Sequence, residues 1–456
     1  MASISYWFLS PSLLLAMIGK VRGWDRTKPT PSVNWKEVTV DVVLPAKNEE
    51  QNIATALSSL LAQDFPFRNI VVFDDGSTDR TSEIVTRYRE LTGRNIQLIT
   101  RKSSIGKTPA LREFCERTDA EAVVVLDADT VVVSTNYISR LIEELFKNAG
   151  VSAACGEVMP LTLRRKNLIA KSDPHLQTVA AEFPGTAAVK PGLFRRFLNW
   201  LTICYRHPLY ILLQRTLYDG HLKLFGAQLN PVGCAVAYKT ERLMECFAYA
   251  KPRVGDNLTN SEDIYIGHFF NWKGYRSVQV IDVLCESSEP PVTRLPHQLY
   301  LWSSAFLQSN YYFKDLLLSP FRRIFRSGKH QDHSAEVGKR VIREQYRAAW
   351  GEQITKREGR RVGWLELICL AEKLTYPIIL LYFALFNHEA LLLTLIIETV
   401  FCMGLVLATA NKGTRLKSAA MLIPAMPIRL LSLGVDMYAT IRCLGDITTG
   451  NRAWRK

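Results

Sequence analysis

The hydrophobic pattern divides the chain into stretches of different character. Between residues 38 and about 290, short continuous apolar runs alternate with segments whose apolar positions recur at helical spacing. "VTVDVVLPAKNEE" (38–50), "NIVVFDDGSTD" (69–79), "NIQLIT" (95–100) and "EAVVVLDADT" (121–130) are runs rich in β-branched residues, most of which end in a polar turn. Between them, "QNIATALSSLLAQ", "TSEIVTRYREL" and "GKTPALREFCERT" carry a helical period. Strands that are apolar throughout, alternating with helices, predict an α/β domain with a mostly parallel sheet covered on both faces. In such sheets ligands bind at the carboxyl ends of the strands. Lys47, Glu49, Asp74, Asp75, Asp127 and Asp129 all fall at or just past those ends, so they are expected to share one rim.

The flanks are far more apolar. "ISYWFLSPSLLLAMIG" (4–19) is followed by basic residues, and its start lacks the positive charge of a signal peptide, which predicts a short N-terminal anchor. "LTYPIILLYFALF" and "ALLLTLIIETVFCMGLVLATA" (390–410) predict a transmembrane hairpin, with Glu372 and Lys373 at the interface or paired. The three positive charges of "NKGTRLK" then predict a cytoplasmic loop. The last apolar stretch carries Pro424, Pro427, Arg429 and Asp436, which leaves a broken helix, a re-entrant segment and a third span open. "LFRRFLNWLTICYRHPLYILLQRTLY" (193–218) and "YYFKDLLLSPFRRIFRS" (311–327) interleave aromatic residues with arginines, the pattern of amphipathic helices lying at a membrane interface. The expected organisation is an anchor and basic linker (1–37), the α/β domain (38–310), a basic interfacial segment (311–363) and a C-terminal transmembrane region (364–456).

Charge sharpens this picture. The 456 residues carry a formal net charge of +14. The excess sits beside apolar segments, at Lys20, Arg22, Arg26 and Lys28, at Arg195 and Arg196, at Arg322, Arg323 and Arg326, and at Arg360 and Arg361. With no zinc-finger spacing, basic zipper or long basic tract, the balance points to membrane lipids and not to nucleic acid. Nine cysteines without a CxxC pair fit thiols in a reducing compartment.

The candidate chemistry lies in the acidic turns. Asp127 and Asp129, two apart in "LDADT", point the same way from a strand end and offer a hard divalent cation a pair of oxygen ligands. Lys107, after Gly106, can neutralise a diphosphate, and Asp74 and Asp75 form a second acidic turn on a neighbouring strand. "LPAKNEE", "DDGSTD" and "LDADT", in that order, resemble the nucleotide-sugar half of family 2 glycosyltransferases with the GT-A fold. The resemblance implies a donor site built from Pro45, Lys47, Glu49, Asp74, Asp75, Lys107, Asp127 and Asp129. In it, Asp75 with Asp74 meets the nucleoside, and Asp129 with Asp127 holds Mg²⁺ or Mn²⁺. "NSEDIYIGHFFNWKGYRS" (260–277) places Ser261-Glu262-Asp263 where the processive members carry Thr-Glu-Asp, so Asp263 is the implied general base with Glu262 beside it. "RLPHQLYLW" (294–302) resembles the Gln-x-x-Arg-Trp motif of hyaluronan, chitin and cellulose synthases: Gln298 and Trp302 match, while Leu301 stands in the arginine's place. Gly233 and Cys234 are implied to line the acceptor path with Gln298 and Trp302.

The implied protein is a membrane-embedded inverting glycosyltransferase, with its catalytic domain in the cytoplasm and its spans in the plasma membrane. It takes a sugar from a nucleoside diphosphate donor, expected to be a UDP-sugar, and extends and translocates a β-linked polysaccharide. Its partners are that donor, a glycan or lipid acceptor, and membrane lipids. Single transfer to a polyprenyl phosphate or other lipid is the alternative, and a nucleotide-binding scaffold or transporter without catalysis is an alternative of another class.

Overall fold

In the computed structural model, which describes residues 10–23, 34–148, 150–186, 192–256, 258–326 and 350–450, eight strands form one sheet. They are β1 (Val40–Ala46), β2 (Asn69–Asp74), β3 (Ile96–Thr100), β4 (Ala122–Leu126), β5 (Thr130–Val132), β6 (Val151–Pro160), β7 (Ala235–Lys239) and β8 (Arg276–Ser287), in the order β3-β2-β1-β4-β7-β6-β8-β5. Arg26, Lys28 and the first six residues of the N-terminal apolar run lie outside the described residues.

The first half of the sheet follows the alternation read from the sequence. Helices α2 (Ile53–Leu61), α3 (Thr81–Thr92) and α4 (Lys107–Arg117), with α1 (Pro11–Arg22) preceding β1, connect strands that pair parallel as β3-β2-β1-β4. Every residue of β4, and all but one of β1, is buried, as continuous apolar strands require. Parallel register aligns Ala46 with Asp74 and Asp74 with Thr100, so the carboxyl ends form one edge. The direction of winding reverses between β1 and β4, which opens a crevice at that edge. Beyond β4 the sheet is mixed: β7 runs antiparallel to both β4 and β6, β6 pairs parallel with β8, and β5 pairs antiparallel with β8. The antiparallel β7 brings the residues just before it, at its amino end, to the same edge as the carboxyl end of β4.

The remaining helices of this part are α5 (Tyr137–Lys147), α6 (Leu163–Ser172), α7 (Pro174–Glu182), α8 (Leu193–Leu212), α9 (Asp219–Phe225), α10 (Thr240–Val254), α11 (Glu262–Lys273) and α12 (Leu295–Tyr312). Residues 193–218 divide in a way their composition hides. The first turns of α8 expose Leu193, Phe194, Phe197 and Trp200, whereas Tyr205, Arg206 and Leu209 to Leu212 are buried, and a π-helical segment (Leu213–Tyr218) continues the interior path. Only the first half therefore has the exposed apolar face of an interfacial helix. The reason is that the second half packs against β6 and the C-terminal apolar helices instead of facing outward.

Among the described residues, three helices are long and apolar enough to cross a membrane: Val362–Phe386, His388–Thr409 and Leu422–Thr448. The third is continuous through Pro427, which narrows the readings left open by its prolines. Its charges are paired. Arg429 meets Glu398 at 2.5 Å, and Asp436 meets Lys373 at 2.5 Å, so both charged residues face neighbouring helices. Glu372 accepts from the backbone N–H and hydroxyl of Ser12, both at 2.6 Å, which ties the first of these helices to α1. His268 of α11 pairs with Glu366, joining the α/β domain to the same helix. The basic loop after Thr409 packs on the α/β domain, where Arg215 donates to the Thr409 carbonyl at 3.0 Å and to Asn411 at 2.8 Å.

The opposite edge of the sheet carries a separate acidic centre with a stabilising role. Asp41, 2% exposed, accepts from Arg68 Nε (3.1 Å) and Nη2 (2.8 Å), Asn69 (3.0 Å) and Thr118 (2.5 Å), which together hold its carboxyl below the usual range despite burial. Asp41→Ala strands these donors and is expected to cost about 2 kcal/mol of stability in chemical denaturation, without changing nucleotide affinity. Because the folded-state pKa is depressed, this contribution is present above the ordinary carboxylate value and is lost as pH falls through the folded pKa.

Candidate active site

A cavity of about 300 Å³ opens at the edge where the carboxyl ends of the strands meet. Its walls come from eight places in the chain, two of them Val158 of β6 and Tyr210 of α8. Asp127 and Asp129 follow β4, Val232 to Cys234 precede β7, Ser287 to Glu289 end β8, and Lys107 is the first residue of α4. Asn260 to Asp263 enter α11, and Gln298, Leu301 and Trp302 sit in the first turns of α12. Five carboxylates (Asp127, Asp129, Glu262, Asp263 and Glu289) face one another here, and Lys107 is the single lysine or arginine among the lining residues. Two larger grooves, about 690 and 790 Å³, lie along α12 and the C-terminal helices, and neither is lined by an acidic residue.

Lys107 holds the centre together. Its ammonium lies 2.6 Å from Asp127 and 2.7 Å from Glu262, and donates to the Gly233 carbonyl at 3.3 Å. Burial works against its charge, but the two carboxylates outweigh this and keep it protonated well above the ordinary lysine range. Among the described residues Asp129 forms no such ion pair, and it accepts from the Thr130 hydroxyl at 3.3 Å. Burial first, then the charges of Asp127 and Glu49, push its carboxyl up to about 8. A surplus of carboxylates of this kind fits a divalent cation. Among the described residues no three acidic, histidine or cysteine side chains converge as ligands. Asp129 and Asp127 would therefore supply two positions, leaving the others to water and phosphate oxygens.

Asp263 is fixed by donors on both oxygens. Ser261 Oγ (2.5 Å) and the Ile264 N–H (2.9 Å) reach Oδ1, and the Gly233 N–H reaches Oδ2 at 3.2 Å. Gly233 permits this approach, since a Cβ there would lie 2.8 Å from that of Asp263.

Most of the expected site residues meet in the cavity: Lys107, Asp127, Asp129, Gly233, Cys234, Glu262, Asp263, Gln298 and Trp302. Asp74 and Asp75 do not line it. Asp74 caps its own turn, accepting from the Ser77 N–H at 2.9 Å and from Ser82. Asp75 accepts from Ser104 Oγ (2.6 Å), the N–H groups of Ile105 (2.9 Å) and Gly106 (2.8 Å), and Arg101 (3.5 Å). These donors outweigh burial and hold its carboxyl below the usual range. Protein donors engage both carboxylates in this arrangement, which places the pair beside the cavity and not on its wall. Asp75 anchors the residues that deliver Lys107. Pro45, Lys47 and Glu49 likewise lie outside the cavity wall, Lys47 exposed and Glu49 bonded by Asn52 at 2.7 Å.

Three residues of the site were not foreseen. Tyr210 and Glu289 line the cavity, and Arg206 packs behind Trp302 with its guanidinium 4.4 Å from the ring centroid. Arg294, the nearest basic residue in sequence to Gln298, is exposed and is not among the residues lining the cavity.

Residues 41–177 match the family model described as Glycosyl transferase family 2. It is 28% identical over 151 residues to a poly-beta-1,6-N-acetyl-D-glucosamine synthase of Staphylococcus epidermidis, covering 33% of this chain and 35% of the relative. It is 26% identical over 227 residues to an N-acetylglucosaminyltransferase of Neorhizobium galegae, covering 48% and 51%. The chain thus spans between a third and about half of the length of these two relatives. Among solved structures, the mannosyltransferase PcManGT from Pyrobaculum calidifontis, in complex with GDP-Man and Mn²⁺, aligns over 92% of this chain and 94% of its own at 18% identity, with a TM-score of 0.45.

The charge surplus has a measurable consequence. A carboxyl whose folded pKa is raised binds its proton more tightly in the folded state than in the unfolded chain. In chelator, stability is therefore expected to fall as pH rises from the ordinary 3.8 toward about 8. Asp129→Asn should flatten that slope in thermal melts of the purified protein, and an unchanged slope would contradict the assignment.

Proposed function

We propose that this chain is a membrane-embedded inverting glycosyltransferase that moves a sugar from a nucleoside diphosphate donor to a growing β-linked polysaccharide. The observation that carries the reading is the convergence of Asp129, which follows β4, and Asp263, in the first turn of α11, on one cavity beside Lys107. The names of the two relatives favour N-acetylglucosamine as the sugar to test first.

In this reading Lys107 lies beside the diphosphate and offsets its charge. Asp129 and Asp127 would hold Mg²⁺ or Mn²⁺, which would supply electrostatic help to the departing diphosphate. Asp263, oriented by its three donors, accepts the proton of the acceptor hydroxyl. That oxygen bonds to the anomeric carbon as the bond from carbon to the diphosphate oxygen breaks. A single displacement inverts the anomeric centre, and Trp302 offers its face to the acceptor ring. Asp75, through the loop before α4, keeps Lys107 in place. The packing of the basic loop after Thr409 against the α/β domain supports a cytoplasmic active site at the plasma membrane. Leu301, where the resembled polymerases place arginine, favours a second reading in which one sugar passes to a lipid acceptor.

Asp263→Asn should lower transfer by at least about a hundredfold, while donor Kd changes less than about twofold. Retained transfer would remove the base assignment. Released nucleoside diphosphate, screened across UDP-N-acetylglucosamine, UDP-glucose, UDP-glucuronate and GDP-mannose with each metal, identifies the donor. A ladder of products supports polymerisation, and a single organic-soluble adduct supports the second reading.

A further inference from the structure

The acceptor side of the cavity is organised from behind by a cation that does not face it. Arg206, on the buried half of α8, is 1% exposed. Its guanidinium lies 4.4 Å from the Trp302 ring centroid, with the rings of Tyr205 and Tyr210 at 5.6 and 6.0 Å. Arg206 Nη2 donates to Gln298 Oε1 at 2.6 Å, and Nε lies 3.4 Å from Glu289 Oε2. Tyr210 donates to the other oxygen of Glu289 at 2.7 Å. One planar group thus touches the aromatic floor, the amide and the carboxylate of the same wall.

We propose that Arg206 is the positioning residue of the acceptor site, setting the Trp302 face, the Gln298 amide and the Glu289 carboxylate to receive one pyranose ring. The inference rests on the glycosyltransferase reading and deepens it.

The chemistry of each partner supports the assignment. With its oxygen held by Arg206, the Gln298 amide keeps its two N–H donors for a ligand. Glu289, anchored by Tyr210 and Arg206, presents acceptor oxygens to sugar hydroxyls. The cation behind Trp302 fixes the ring plane on which an apolar sugar face packs. A buried arginine with several planar contacts is not replaceable by lysine, which has the charge but neither the fork nor the stacking plane. Arg206 lies outside the cavity lining, so its effect on the acceptor passes through these three side chains.

The test uses the full-length protein in detergent or nanodiscs, with β-linked N-acetylglucosamine oligosaccharides as acceptor probes. Arg206→Lys is expected to raise the acceptor KM, and the oligosaccharide Kd measured without donor, by about tenfold. Donor KM, and kcat at saturating acceptor, should stay within about twofold of wild type. A double variant, R206M with E289Q, removes the buried charge pair together, so no carboxylate is left unpaired. It should keep a cooperative melt and show the same acceptor defect.

Wild-type acceptor affinity in either variant, or donor and acceptor constants rising together, would overturn the inference. A wild-type protein that releases no nucleoside diphosphate from any of the four donors overturns the functional reading, and this inference with it. Wild-type turnover combined with an unaltered Arg206→Lys acceptor KM overturns the inference alone.

Discussion

The organising constraint is electrostatic. Five carboxylates share a cavity of about 300 Å³ whose one lining cation, Lys107, is divided between Asp127 and Glu262. Like charges held this close in a partly desolvated site are unfavourable unless protons or a ligand's cation offset them. The fold accepts that cost at the carboxyl ends of its strands, where the winding order reverses and the backbone leaves a crevice. At the other edge it spends a comparable carboxylate, Asp41, on stability, and there every oxygen is satisfied by the protein itself. The contrast between a satisfied acidic centre and an unsatisfied one distinguishes the scaffold from the site.

The apolar helices are continuous with this site. His268 lies on α11, the helix whose first turn holds Asp263, and pairs with Glu366 of the first long apolar helix. The third long apolar helix packs beneath α12, with Tyr438 and Tyr300 at 5.7 Å between ring centroids, on the helix that carries Gln298 and Trp302. Charges within these helices are paired with one another, as Lys373 with Asp436 and Glu398 with Arg429. Such pairs lower the cost of placing charge at membrane depth and fix the rotation of each helix. The cavity walls that carry Asp263, Gln298 and Trp302 thus rest on elements that are also joined to the long apolar helices.

Much of this was legible in the sequence because short-range patterns carry it. Acidic turns after continuous apolar strands gave Asp127 and Asp129, and local motifs gave Asp263, Gln298 and Trp302, all of which face one cavity. What failed to show was long-range pairing. Residues 193–218 have the composition of an interfacial helix, and nothing local says that Arg206 turns inward to Trp302, nearly a hundred positions later. Glu289 sits in an unremarkable strand-to-helix connection and becomes part of the site through Tyr210 and Arg206. Asp74 and Asp75 stood out as an acidic turn, but nothing local shows that donors from α3 and from the loop before α4 engage them. The mixed half of the sheet was hidden for the same reason, since apolar strands look alike whichever way they pair.

The most direct measurement of the central claim is Mn²⁺ binding followed by electron paramagnetic resonance, with and without UDP, in the wild type and in D129N and D75N. The account predicts that UDP tightens Mn²⁺ binding in the wild type, that D129N abolishes the tight site, and that D75N retains it. Tight Mn²⁺ binding that survives D129N would contradict the account.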